Sequence, residues 1–384
     1  MWILTDACIA LASLGCLYLL CAVSAYAKFV REPRPTPTNS SAITILKPLK
    51  GAGPSLLSNL ASFCTQNYPA SVQLVFGVND PNDEAIPVVT RLRTLFPHQD
   101  TNLIVEQAVH GTNLKVSNLI NMTRAIRHPC ILLADSDISV QPDYLLCVAA
   151  MLQQPAVGGV TCLYHGVPLA GFWSELSALG IDAHFLPSVL VGLQFGLATP
   201  CLGSTIALWK HQLDEIGGFG VFADCLADDY AIGAALRGKG LKVVVAPILV
   251  GHVCAEASLS ELWRHELRWA RTIRAIDPRG YIGSVVSHPL PFALLALAAG
   301  ATTVGSTLAI VALLCRVVLL HVTTRTTLAS RIHGPMPPRG FLIPIRDLLS
   351  FAVFLWSFCG RRITWGERKY RVQAKGTMIF DRKA

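Results

Sequence analysis

The 384-residue sequence is 52% apolar and 15% charged, with a formal net charge of +8. Its length allows one or two domains, and its apolar content excludes an ordinary soluble protein, so a globular unit joined to membrane segments is expected. The positive charge is concentrated: Lys28, Arg31 and Arg34 follow the first apolar run, and Arg361, Arg362, Arg368, Lys369, Arg371, Lys375, Arg382 and Lys383 crowd the tail. Such clusters beside apolar segments suit anionic lipid headgroups. They do not interleave with aromatic residues, so no nucleic-acid partner is expected. The 12 cysteines are scattered without a Cys-x-x-Cys pair or zinc spacing, and read as small apolar side chains in a reducing compartment.

In chain order, residues 7–27 form an apolar run long enough to cross a bilayer. Ala25-Tyr26-Ala27 resembles a signal-peptide cleavage site, but the positive charges follow the run and only Asp6 precedes it. Residues 1–30 are therefore expected to be a retained transmembrane anchor, with the chain beyond it facing the cytoplasm. Residues 31–40 read as a linker. Strands are expected at 43–46, 72–78, 102–105 and 131–134, and helices at 55–65, 84–96 and 115–126. This alternation predicts an α/β fold, a mostly parallel sheet with helices on both faces, whose ligands sit at the carboxyl ends of strands. Asp80 and Asp135 fall at two such ends.

Asp135-Ser136-Asp137 places two carboxylates at i and i+2 after a buried strand, where both can reach one Mg²⁺ or Mn²⁺ ion bridging to substrate phosphates. Asp228-Asp229 precedes a helix at 230–237. Those acids either cap that helix or provide a general base whose neighbouring carboxylate raises its pKa. Residues 256–276 form a basic helix in which Arg264, Arg268 and Arg271 share a face. It either lies on anionic lipid or clamps a diphosphate. Residues 289–322, with Arg316 alone charged, suit one long tilted span or a tight pair. Residues 341–360 are apolar but contain Arg346-Asp347, which is costly against lipid and points to a re-entrant or interfacial segment. A cytoplasmic catalytic unit is thus expected at 41–285, and membrane segments with a basic tail at 286–384. No Walker loop, dinucleotide fingerprint or nucleophile elbow occurs.

Three separated Asp sites followed by an Arg268-Trp269 pair resemble the inverting family 2 glycosyltransferases, whose motif reads (Gln/Arg)-x-x-Arg-Trp. The ceramide glucosyltransferase branch is more similar still, through Leu46-Lys47-Pro48-Leu49-Lys50-Gly51, residues 111–119, Ala227-Asp228-Asp229-Tyr230, Ile363-Thr364-Trp365 and Tyr370-Arg371. Within that branch, residues 115–122 and 263–274 look like the bacterial hopanoid-biosynthesis-associated glycosyltransferases. The resemblance implies a GT-A-type sheet with N- and C-terminal transmembrane helices, in a multi-pass protein of the inner membrane. It implies a UDP-sugar donor, a lipid acceptor and a divalent cation. Asp80 would contact uracil and ribose, and Lys115 and Asn118 would lie near the nucleotide. Asp135 and Asp137 would hold metal and diphosphate. Asp229, beside Asp228, would be the base. Arg268 and Trp269 would close over the diphosphate, and His184 would line the acceptor side.

Two departures stand out. His265 occupies the motif's Gln/Arg position, and Asp137 supplies a second acid that animal ceramide enzymes lack. The hopanoid-associated subgroup implies N-acetylglucosamine onto phosphatidylethanolamine, and the ceramide branch implies glucose onto ceramide. Rival readings are a processive polysaccharide synthase, which needs more spans, and a lipid-binding protein without catalysis.

Overall fold

The computed structural model describes residues 2–169, 171–328, 339–365, 368–373 and 376–380. Helix α1 (Trp2–Arg31) leads into β1 (Ile43–Pro48), α2 (Leu56–Cys64), β2 (Val72–Val78), α3 (Ala85–Leu95), β3 (Asp100–Val105), α4 (Leu114–Met122) and β4 (Cys130–Leu133), the alternation that the sequence predicts. Next come β5 (Ile138–Ser139), α5 (Tyr144–Leu152), β6 (Val157–Pro168), α6 (Phe172–Gly180), a π-helical turn at Ile181–Phe185 and α7 (Leu186–Gln194). These are followed by β7 (Ile206–Trp209), α8 (Lys210–Glu215), α9 (Asp228–Gly238), β8 (Lys242–Cys254) and α10 (Leu259–Ile276). Beyond them lie α11 (Pro278–Gly283), α12 (Pro289–Ala298), α13 (Thr302–Leu328), α14 (Ile343–Ser357), β9 (Arg362–Trp365), β10 (Arg368–Val372) and β11 (Met378–Phe380).

The first eight strands form one sheet in the order β3-β2-β1-β4-β7-β6-β8-β5. The β3-β2-β1-β4 half is parallel, as is the β6–β8 pair. β7 is antiparallel to both β4 and β6, and β5 to β8, so the sheet is mixed. The reversal of β7 matters for the site, because its entering loop meets the carboxyl end of β4. Side chains alternate between the faces as pleating requires. Ile43, Ile45, Leu74, Phe76 and Leu132 pack on one side, and Leu46, Val75, Ile131 and Leu133 on the other.

Among the described residues, four helices are long and apolar enough to cross a membrane: Trp2–Arg31, Phe172–Gln194, Thr302–Thr326 and Gly340–Ser357. Residues 289–322 form a pair, α12 and α13, turning at Gly300 with φ of 96°, a conformation open to glycine. Residues 278–298 are bent by 58°. Small residues let α1 approach its neighbours closely: Ala12, Cys16 and Ala22 cluster with Ala293, Ala309 and Ala312. The apolar segment at 172–194 escapes the sequence reading because Asp182, His184 and Pro187 interrupt it. In the fold, Asp182 turns inward and accepts a hydrogen bond from the Gly166 amide at 2.8 Å.

Arg346 and Asp347 are both buried, and each meets a different protein partner. On a helix, consecutive residues point about 100° apart. Arg346 therefore reaches the Glu266 carboxylate on α10 through both guanidinium nitrogens. Asp347 lies 3.3 Å from the fully buried Arg316 and accepts from His184 Nε2 at 2.7 Å. Arg316 also donates to the Ser287 carbonyl at 2.6 Å. The charges that look costly against lipid thus face inward.

β9, β10 and β11 form a separate antiparallel sheet within the basic tail. Lys375, Arg382 and Lys383 of that tail lie outside the described residues. The small sheet bridges α10 and the loop before α9. Arg271 and Arg274 donate to the carbonyls of Cys359 and Gly360 at 2.8 and 2.6 Å, while Met378 and Leu226 amides bond Asp224 and Gly376 carbonyls.

Removing one partner of a buried ion pair strands the other. Asp347→Asn should therefore destabilise the protein by about 3–5 kcal/mol in a detergent unfolding measurement, whereas Arg316→Met with Asp347→Leu should lose far less.

Candidate active site

Asp135 follows β4, and its amide donates to the Gly203 carbonyl at 3.1 Å, so the loop entering β7 closes over it. From β1, Lys47 sends its ammonium to the Asp135 carbonyl oxygen at 2.7 Å and lies over the Phe63 ring. Lys47 is fully buried. Burial pushes it down to about 7, against the opposing pull of Asp137 and Asp135.

α4 brings in Lys115. Its N-cap, Asn113, accepts from the Val116 amide at 3.1 Å and donates to the Cys225 carbonyl at 2.7 Å. The same side chain thus starts the helix and ties it to the loop before α9. Lys115 Nζ then lies 2.7 Å from Asp135 Oδ1 and 3.2 Å from Asp228 Oδ2. Burial alone would discharge this ammonium, but Asp135, Asp228 and Asp229 raise its pKa.

Asp228 and Asp229 occupy the first turn of α9, and Ala227 holds the cap position without a side-chain bond. Asp229 Oδ1 accepts from the Tyr230 amide at 2.7 Å, so this acid serves the start of the helix as well as the site. Asp229 Oδ2 accepts from the Gly203 amide at 2.9 Å. Burial, then the neighbouring Asp228, push Asp229 up to about 6, while Lys115 pulls it down.

Asp137 sits between β4 and β5, its carbonyl held by the Val253 amide at 3.0 Å. Asp137 Oδ2 is 3.5 Å from His252 Nε2. Asp137 Oδ1 is buried without a hydrogen-bond partner. His252 stacks on Tyr164, which stacks on Phe185, and its ring edge meets Trp269.

α10 starts at Ser258, whose side chain accepts from the Glu261 amide at 3.3 Å. It buries Leu262, Leu267 and Ala270 and turns Arg264, His265 and Arg268 to a cleft of about 570 Å³. Lys50, Gly51 and Asn59 line the facing wall, with Asp137, His252, Glu256 and Thr364 completing it. Burial lowers the Arg268 pKa, and the charges of Asp135 and Asp137 oppose that shift. His265 Nδ1 bonds Glu256 Oε1 at 2.5 Å, and the ring packs edge-on to Trp269. Arg271 does not join the expected arginine face over the cleft, because the carbonyl groups of residues 359 and 362 hold its guanidinium.

Asp135, Asp228 and Asp229 gather around Lys115, with Asp137 and Arg268 near by. Asp80 stays outside this group, exposed at the end of β2, where it accepts from the Asn82 amide at 2.9 Å. Asn118 is buried, and its amide donates to the Gly77 carbonyl at 2.7 Å, pinning α4 to β2. His184 lies in the membrane-helix network with Asp347 and Arg316. Sequence reasoning gave no role to Gly203, His252 or Glu256. None sits in a motif with a chemical signature, although Lys47 lies in the segment at 46–51. Among the described residues, no three His, Cys, Asp or Glu side chains are gathered as a metal cage.

The model of glycosyl transferase family 21 matches residues 7–378. Ceramide glucosyltransferase 1 of Caenorhabditis elegans is 29% identical over 64% of this chain and 52% of its own length. Ceramide glucosyltransferase 3 of the same organism is 28% identical over 68% of this chain and 58% of its own. The chain spans about half the length of these curated relatives. A mannosyltransferase from Pyrobaculum calidifontis, solved with GDP-mannose and Mn²⁺, superposes with a TM-score of 0.51 at 17% identity, over 92% of this chain and 99% of the other. That likeness shows a GT-A-like mixed sheet flanked by helices.

Gly203 touches both halves of the site, and a Cβ there would stand 2.6 Å from Asp135 Oδ2 and 3.3 Å from Lys115 Nζ. Gly203→Ala should displace that carboxylate and lower turnover about 100-fold, with circular dichroism showing the fold retained.

Proposed function

The chain belongs to glycosyl transferase family 21, and from that premise we propose that it carries a sugar from a UDP-sugar to a lipid acceptor at a membrane surface, with inversion at the anomeric carbon. The observation that carries this reading is the Asp229 carboxyl, pushed up to about 6 by burial and by Asp228. A carboxylate so raised is a better proton acceptor than a solvated one. Asp229 takes the proton of the acceptor hydroxyl. That oxygen bonds to the anomeric carbon as the bond to the diphosphate breaks. Arg268 and His265 present donors to the departing diphosphate from α10, with Trp269 behind them.

A divalent cation, when bound, would neutralise diphosphate charge. Asp135 and Asp137 would hold it. Two carboxylates plus phosphate oxygens suit Mg²⁺ or Mn²⁺, and the unpartnered Asp137 Oδ1 fits that use. Lys115, 2.7 Å from Asp135 and 3.2 Å from Asp228, would hold the two side chains in place while the donor is absent. Asp80, beyond the cleft, would meet uracil and ribose, and Asn118 would position α4. The π-turn with His184 would face the acceptor. The apolar helices would anchor the protein in the inner membrane, with the catalytic unit, residues 41–285, in the cytoplasm where UDP-sugars occur.

Asp229→Asn should cut transfer by about 10²–10⁴-fold while UDP binding by calorimetry stays near wild type. Normal turnover in that variant would refute the base. Because the ionised form is the active one and its pKa is raised, the wild-type rate should fall as pH drops through about 6.

For the sugar and lipid, we favour N-acetylglucosamine onto phosphatidylethanolamine, on the segments at 115–122 and 263–274. The curated relatives support a second reading, glucose onto ceramide. Membranes given UDP-N-acetylglucosamine or UDP-glucose, with Mn²⁺ or with a chelator, and then analysed by lipid mass spectrometry, should yield a glycosylated phosphatidylethanolamine only with the metal. Glycosylated ceramide would select the second reading.

A further inference from the structure

We propose that Glu256 is a positioning residue that holds His265 through Nδ1 and leaves Nε2 to meet the donor substrate's diphosphate. This rests on the nucleotide-sugar reading above and extends it to a residue outside the (Gln/Arg)-x-x-Arg-Trp motif. Glu256 follows β8, is 8% exposed, and lies against His265 on α10. A carboxylate only accepts hydrogen bonds, so the 2.5 Å contact to Oε1 commits His265 Nδ1 as the donor. The ring's other nitrogen, Nε2, has no protein partner among the described residues and is the one atom left to offer a ligand. His265 lines the cleft between Arg264 and Arg268.

Neutral imidazole with its proton on Nδ1 would present a lone pair at Nε2, which repels phosphate oxygen. The doubly protonated ring presents a donor there, and it has a carboxylate behind it to hold that charge. The Glu256 carboxyl is suited to this. Burial pushes it up, yet the His265 hydrogen bond and charge, with Ser177, bring it below its ordinary value. The other groups facing His265 are Trp269 at its edge and, around the cleft, Lys50, Asp137, His252 and Glu261. Arginine at position 265 would carry its charge without help. Histidine needs a counter-ion, and Glu256 is buried where it can serve as one.

The test uses the full chain in nanodiscs and UDP with Mn²⁺, with affinity read by calorimetry and folding by thermal melting. E256Q should weaken UDP about tenfold, the size of one charge-assisted contact. With H265R as the reference, whose charge needs no counter-ion, E256Q/H265R should bind within about threefold of H265R. A merely structural Glu256 would make the double variant lose the same tenfold, and that result overturns the proposal, as does unchanged binding by E256Q. If E256Q does not fold, H265Q should bind UDP about tenfold more weakly than H265R, and equal binding by the two overturns it. Folded wild-type protein that binds no UDP would instead overturn the nucleotide-sugar reading beneath the proposal.

Discussion

The Lys115 ammonium joins carboxylates that come from opposite halves of the sheet. Asp135 arrives on β4, at the end of the parallel half, and Asp228 on α9, beyond the reversed strand β7. Buried like charges repel, and desolvation adds to the cost of keeping them ionised. A single cation 2.7 Å from one and 3.2 Å from the other opposes both effects, although burial still holds the Asp135 pKa above its ordinary value. Gly203 reinforces the junction with two backbone bonds, its carbonyl to the Asp135 amide and its amide to Asp229. The strand reversal that makes the sheet mixed is therefore also what brings Asp229 to the end of β4 that carries Asp135.

The opposite wall of the site depends on α10, and α10 is restrained from several directions. Glu266 ties its outer face to Arg346 on α14. Arg271 and Arg274 tie its C-terminal half to the chain entering β9. The same small sheet reaches across to Asp224 and Leu226, just before Asp228 and Asp229. A helix fixed at both faces keeps Arg268 and His265 at a set distance from the acids, as preorganised charge stabilisation requires.

Much of this was legible in the sequence. The β-prone runs at 43–46, 72–78 and 131–134 are apolar except for Thr44 and Gln73, because their strands are covered on both faces, so they stood out. Asp135, Asp137, Asp229 and Arg268 were legible through motif spacing. The hidden part was long-range. β7 is four residues long, too short for a periodic signal, and its direction depends on a connection through α6 and α7. Lys47 and Glu256 matter because of the groups they touch 88 and 9 residues away. Arg346-Asp347 read as a charge conflict because neighbours in sequence were weighed together, whereas helical geometry sends them to separate partners. Arg271 failed in the other direction: helical spacing put it on the clamp face, and the carbonyl groups at 359 and 362 captured it.

The π-turn at 181–185 links the two environments. A π-turn adds one residue to a helix and shifts the phase of every later side chain. Here it sets His184 into the Asp347–Arg316 network while its neighbour Phe185 stacks on Tyr164, 4.6 Å between centroids. Tyr164 stacks on His252, which meets Asp137 and Trp269. Two adjacent residues thus connect the membrane helices to the catalytic cleft through rigid aromatic contacts. The inserted residue shifts His184 and Phe185 together relative to α6, and the divergence of about 100° between neighbours sends them to the two sites.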